Sequence, residues 1–92
     1  MTESSVYVMM LYKNFAAYNE EEYLVDIFSS SEKATEYCDR LGCVLCGQDA
    51  EHFTESTDIY RATKFTELNG DLFIPLYNLD TSRIAILNWE LK

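Results

Sequence analysis

The stretch from Ser29 to Gly42 constrains this chain more than any other, because it declares one helix and both of its ends. The oxygens of Ser29-Ser30-Ser31 can accept from the orphan amides of a helix start. Glu32 stands three residues after Ser29, the spacing of a capping box. Ala34, Tyr37, Cys38 and Leu41 repeat at i, i+3, i+4 and i+7, a single apolar stripe. Gly42 can take the left-handed conformation that stops a helix. The spacing predicts a helix over about 31–41.

The segments on either side read as strands. Residues 5–12, Ser-Val-Tyr-Val-Met-Met-Leu-Tyr, form an apolar β-prone run suited to a strand buried on both faces. Lys13 to Glu21 is polar and reads as a connection. Glu22 to Phe28 follows and should pair antiparallel with the first strand. Cys43 to Ser56 reads either as a short strand and loop or as a second short helix near 49–55. Ile59 to Leu68 and Asp71 to Tyr77 flank Asn69-Gly70, the strongest short hairpin turn, because both positions want positive φ. Pro75 removes a ladder donor and points to an edge or a bulge. Arg83 to Leu91 reads as a last strand, although Ile84, Leu87 and Leu91 also satisfy helical spacing. The expected class is α+β: a mostly antiparallel sheet of about four to five strands packed against one main helix, in a single domain over 1–92.

Charge narrows the function. Sixteen acidic residues stand against seven basic ones in 92, a formal net charge of −9. Such a surplus repels polyanions, which disfavours nucleic acid and anionic lipid as partners. The apolar fraction of 48% with thirteen aromatics excludes intrinsic disorder. No apolar run is long enough to span a membrane, and the first residues lack the basic and apolar pattern of a signal peptide. Three cysteines, an odd number, argue against a secreted disulfide framework. The expected location is the cytoplasm.

Candidate chemistry is sparse. Cys43-Val-Leu-Cys46 is a C-x-x-C, with Cys38 before it and His52 after it. Three thiolates and an imidazole can make a tetrahedral zinc site, but all four lie within one short segment and a second distant pair is missing. A redox pair wants its first cysteine at a helix N-terminus, whereas this pair follows a helix C-terminus. The plain reading is that the cysteines are small buried apolar residues. His52, the only histidine, has no partner at a catalytic spacing. Glu20-Glu21-Glu22 lacks the alternating ligands and turn glycine of a calcium loop. No glycine-rich phosphate loop exists, and Lys33 and Arg40 share their helix with acids, so no basic stripe forms. The expectation is a protein without enzymatic activity and without a cofactor.

What remains is the acidic surface. Glu32, Glu36 and Asp39, at i, i+4 and i+7, line one helical face, with Glu32 and Glu36 about 6 Å apart along the axis. A domain of this length has a radius of gyration near ~12 Å and a diameter of about 30 Å. Duplex DNA of that length carries about 18 charges, and one side of it about half that number. The chain's surplus is comparable, provided its carboxylates gather on one side. The acids nominated for a partner surface are Glu20, Glu21, Glu22, Glu32, Glu36, Asp39, Glu51, Glu55 and Asp58.

By its length, its acidity, its short strands around one capped helix and its lack of a catalytic constellation, the chain resembles the anti-restriction endonuclease (Arn) family of T4-like phages. That resemblance implies a homodimeric DNA mimic that occupies the DNA-binding surface of a host restriction enzyme of the McrBC type. The Phe28-Ser-Ser-Ser-Glu-Lys-Ala34 junction also resembles the strand-to-helix junction of small uncharacterised bacterial and phage domains.

Overall fold

The computed structural model describes residues 4–49, 57–68 and 71–91. The apolar run at the start becomes β1 (Ser4–Lys13), an interior strand. Val8, Met9, Leu11 and Tyr12 are all buried, so both faces of β1 are covered, as an unbroken apolar run requires. The chain turns through Asn14–Glu20 and returns as β2 (Glu21–Phe28), antiparallel to β1. Asn14 and Ala16 take positive φ here, at 56° and 65°. The Ala16 amide donates to the Glu20 carboxylate at 2.8 Å, which braces a conformation that a Cβ disfavours.

Helix α1 (Ser31–Leu41) follows. Its cap lies one residue later than the capping box places it. Ser30, extended at φ −145° and ψ 154°, accepts from the Lys33 amide at 3.2 Å. Ser29 instead accepts from Lys33 Nζ at 3.4 Å. Because Lys33 and not Glu32 occupies the third helical position, the reciprocal half of the box does not form. At the other end Gly42 (φ 81°) donates to Asp39 O and Cys43 donates to Cys38 O, both at 3.0 Å, a Schellman closure. Thr63 Oγ1 donates to the Gly42 carbonyl at 2.7 Å, which ties this stop to the sheet.

The segment after the helix is a strand, β3 (Val44–Asp49), paired antiparallel with β4 (Thr57–Arg61). Asp49 ends this strand, and the rest of the segment read alternatively as a helix near 49–55 lies outside the described residues. The expected long strand from Ile59 to Leu68 is broken after Arg61. A two-residue β5 (Thr66–Glu67) then pairs with β6 (Phe73–Ile74). The hairpin is therefore real but short, closed by Leu68 N–H donating to Leu72 O at 2.9 Å; its Asn69-Gly70 turn lies outside the described residues. Pro75 stands just beyond β6 and caps a 3-10 turn at Leu76–Asn78, so it ends the strand instead of bulging it. The last strand, β7 (Arg83–Leu91), is a strand as expected, because β1 and β4 flank it and satisfy its backbone.

The main sheet has the order β2-β1-β7-β4-β3, antiparallel throughout, so the first and last strands meet at its middle. The register divides its side chains between two faces. One face carries Met9, Leu11, Tyr60 and Ile84. On it sit Ala34 and Cys38 of α1 together with Leu68 and Ile74 of the small hairpin, forming the larger core. The other carries Tyr12, Ile59 and Ala85, with Met10, Leu87 and Phe15 packed around them. No helix lies on that second face among the described residues, and it remains open at Leu24, Ile27 and Trp89. Both outer strands are kinked. Val25 is an extra residue between Leu24 and Asp26, and Cys46 one between Leu45 and Gly47, bulges that discourage edge-to-edge pairing.

Candidate functional site

Helix α1 turns its apolar stripe inward, and this fixes where its charges go. Ala34 and Cys38 are buried, with Tyr37 and Leu41 packed beside them. At about 100° per residue, Glu32, Glu36 and Asp39 fall within an arc of about 60° opposite that stripe. All three are exposed. The helix cations do not interrupt this arc. Lys33 and Arg40 lie within about 20° of each other on the Tyr37 flank, where Tyr37 meets Phe28 of β2 at 5.5 Å between ring centroids. Glu32 in the first turn and Arg40 in the last both complement the helix dipole.

The opposite flank carries hydroxyls. Ser31 and Thr35 line a polar cleft of about 270 Å³ whose floor includes Tyr7, Tyr60, Asn88 and Asp58. Asp58 accepts from Gln48 Nε2 at 2.8 Å, which holds it at the cleft. Burial pushes the Tyr60 hydroxyl above its ordinary value. The fields of Asp58 and Asp39 add to the rise, and a hydrogen bond with Thr35 opposes it. Asp39 and Asp58 thus act on one group from two elements. The structure brings Glu32, Glu36, Asp39 and Asp58 to the same side of the molecule.

The acidic triplet is divided. Glu20 is bonded into the β1–β2 turn. Glu21 accepts from the Tyr23 hydroxyl on the helix side of the sheet, and this bond is the main reason that the hydroxyl titrates higher than usual. Glu22 lies opposite Tyr12, on the open face. Burial, helped by Glu22 and Glu20, raises Tyr12 to about 12. Glu51 and Glu55 lie outside the described residues.

The cysteines take separate environments. Cys38 and Cys43 are buried and Cys46 is exposed. Burial drives the Cys38 thiol up to about 12 and the Cys43 thiol to about 11, which favours the neutral thiol over a metal-binding thiolate. Among the described residues no three His, Cys, Asp or Glu side chains gather as a metal site; His52 lies outside them.

Two surfaces escaped the sequence reading. One is the open sheet face. The other is a cleft of about 540 Å³ lined by Phe65, Glu67, Asp71, Leu72 and Phe73 on the outside of the β5–β6 hairpin. Its signal was present. Phe65 and Glu67 in one arm, and Asp71 and Phe73 in the other, alternate with the buried Thr66, Leu68 and Ile74, the two-residue period of a half-covered hairpin.

These features define a class: an acidic α+β domain whose helix carries three carboxylates on its outward face and whose second sheet face is open at Leu24, Ile27 and Trp89. Comparison with protein-family models, with curated proteins and with solved structures finds no match to this chain. No helix among the described residues is long and apolar enough to cross a membrane.

Proposed function

We propose that this chain is a non-enzymatic, cytoplasmic interaction protein whose helix-bearing side stands in for a DNA backbone. It would occupy the DNA-binding surface of a basic protein, of which a host restriction enzyme is one kind. The observation that carries the reading is the segregation on α1: three carboxylates at its outward pole and both cations on one flank. Along the axis those carboxylates are spaced by about 6 and 4.5 Å, the scale of phosphates along a strand. The molecule is longer than a sphere of its mass, at 47 × 27 × 22 Å. Duplex DNA of that length carries about 28 charges, so about 14 on one side. A surplus of −9 is therefore a sparser imitation than the sequence arithmetic suggests.

The test is competition. A basic DNA-binding target, captured from bacterial lysate at low salt, should be released by added duplex DNA and by high salt. Charge reversal of Glu32, Glu36 and Asp39 together should abolish capture while leaving the fold intact. Capture that survives unchanged at high salt, or after the triple reversal, would remove the proposal.

A second reading has an observation of its own. Leu24, Ile27 and Trp89 are each more than half exposed on the open face. Their central positions carry no charge, so in an acidic chain this is where a second copy can approach with least repulsion. The homodimer is proposed through this face. An accessory module binding another protein there, without imitating DNA, is the rival. In sedimentation the parent should run as a pair and Leu24→Asp as a single chain. A parent that stays single, with capture lost in Leu24→Asp, favours the rival.

A further inference from the structure

We propose that the cleft on the outer side of the β5–β6 hairpin receives an arginine side chain of the basic partner. The inference rests on the acidic-surface reading above and adds the chemistry of the group captured. Three observations meet at this place.

The first is the ring pair. Phe65 and Phe73 are 48% and 44% exposed, with centroids 5.9 Å apart and planes 33° from parallel. Exposed phenylalanines are costly to leave in water, and the hairpin's inner side is already filled by Thr66, Leu68 and Ile74. Two tilted rings offer a negative π face to a flat cation. The second is charge. The same cleft is lined by Glu67 and Asp71, one from each arm, so a cation over the rings meets carboxylates as well. The third is a demonstration within the fold. Lys13 Nζ lies 5.8 Å from the Phe73 centroid and 5.4 Å from that of Tyr23, so Phe73 already takes part in cation–ring contact.

Arginine fits this combination better than lysine. Its guanidinium is planar, less strongly hydrated, and able to stack on a ring while donating from its edge to carboxylates. A cleft of about 540 Å³ has room for the whole side chain. DNA-binding surfaces carry such arginines, so the pocket would add a specific anchor to a contact that is otherwise diffuse and salt-screened.

The experiment is an NMR titration of the full chain with a blocked tri-arginine peptide, its citrulline counterpart and its lysine counterpart. The arginine peptide should shift the Phe65 and Phe73 ring resonances saturably. The neutral citrulline peptide should leave them unmoved, and the lysine peptide should bind more weakly. Phe65→Leu with Phe73→Leu, which keeps apolar bulk and removes the rings, should weaken arginine binding about tenfold. Glu67→Gln with Asp71→Asn changes only exposed side chains and provides a second readout if the leucine pair perturbs the fold. It should weaken binding about fivefold at low salt.

Equal shifts from citrulline, or equal affinity for lysine and arginine, would overturn the assignment. So would binding indifferent to both cleft variants. If binding is instead lost on neutralising Glu32, Glu36 and Asp39, the cleft fails while the acidic-surface reading stands. Capture of the target that survives the helix triple reversal sinks that reading whatever the cleft does.

Discussion

The two faces of the central sheet are built from the same strands and come out opposite in character. The face under α1 and the small hairpin buries Met9, Leu11 and Ile84 completely, and the outward pole of the helix above it carries Glu32, Glu36 and Asp39. The other face has similar side chains in its middle but is left uncovered at Leu24, Ile27 and Trp89. Alternation along a strand supplies both faces with apolar residues in equal measure. The difference comes from what is laid over them. Charge then follows cover, because an element packed by one stripe must send its polar residues outward.

The sharpest way to break this comparison is to make the same truncation on each face. Leu11→Ala, on the covered face, should cost about 3 kcal/mol in chemical denaturation, since the site is closed on all sides. Leu24→Ala, more than half exposed, should cost under about 1 kcal/mol for the single chain. Equal losses would mean that the open face is covered after all. Next in size is an alkaline transition confined to buried groups. Cys38 rises from 9.0 to about 12 and Cys43 from 9.0 to about 11 on folding, and Tyr12 rises from 10.0 to about 12. These groups are neutral in both states below about pH 9, so their contribution is whole there. It is lost as pH climbs toward 12, because the unfolded chain ionises first. Stability measured from pH 8 to 11 should fall, and Cys38→Ala should flatten the slope.

Two backbone substitutions sharpen the picture with smaller effects. Gly42→Ala places a Cβ at φ 81° and 3.1 Å from Lys64 Cε, on the covered side's helix stop. It should cost about 1–2 kcal/mol by thermal melting. Ala16→Gly relieves a positive φ of 65° in the β1–β2 turn and should add about 0.5 kcal/mol. A destabilising result there would show that the Glu20 brace removes the strain entirely.

Much of this was legible in the chain. The helix stripe, its Gly42 stop and the run of residues 5–12 each carry a complete local pattern, and the structure follows all three. The helix bounds were legible as 31–41, and only the cap moved from Ser29 to Ser30, since three successive serines can all cap. The long strand expected from Ile59 did not survive, because residues 62–65 leave the sheet, Thr63 bonding the helix stop, and among the described residues no strand pairs with them. The acids of α1 were legible as a face because helical spacing is a local rule. The aromatic cleft was not, because it needs Phe65 and Phe73 from two separate arms, and their meeting depends on the pairing of β5 with β6.

The residue order by itself determined the helix, its stop and the first two strands, for those follow from local backbone geometry and periods of 3.6 and 2. Only the tertiary structure decided which strands became neighbours, that β1 and β7 meet in the middle, and that the second face stays open at Leu24, Ile27 and Trp89. Pairing and cover are long-range choices, made when distant segments compete for the same apolar surface.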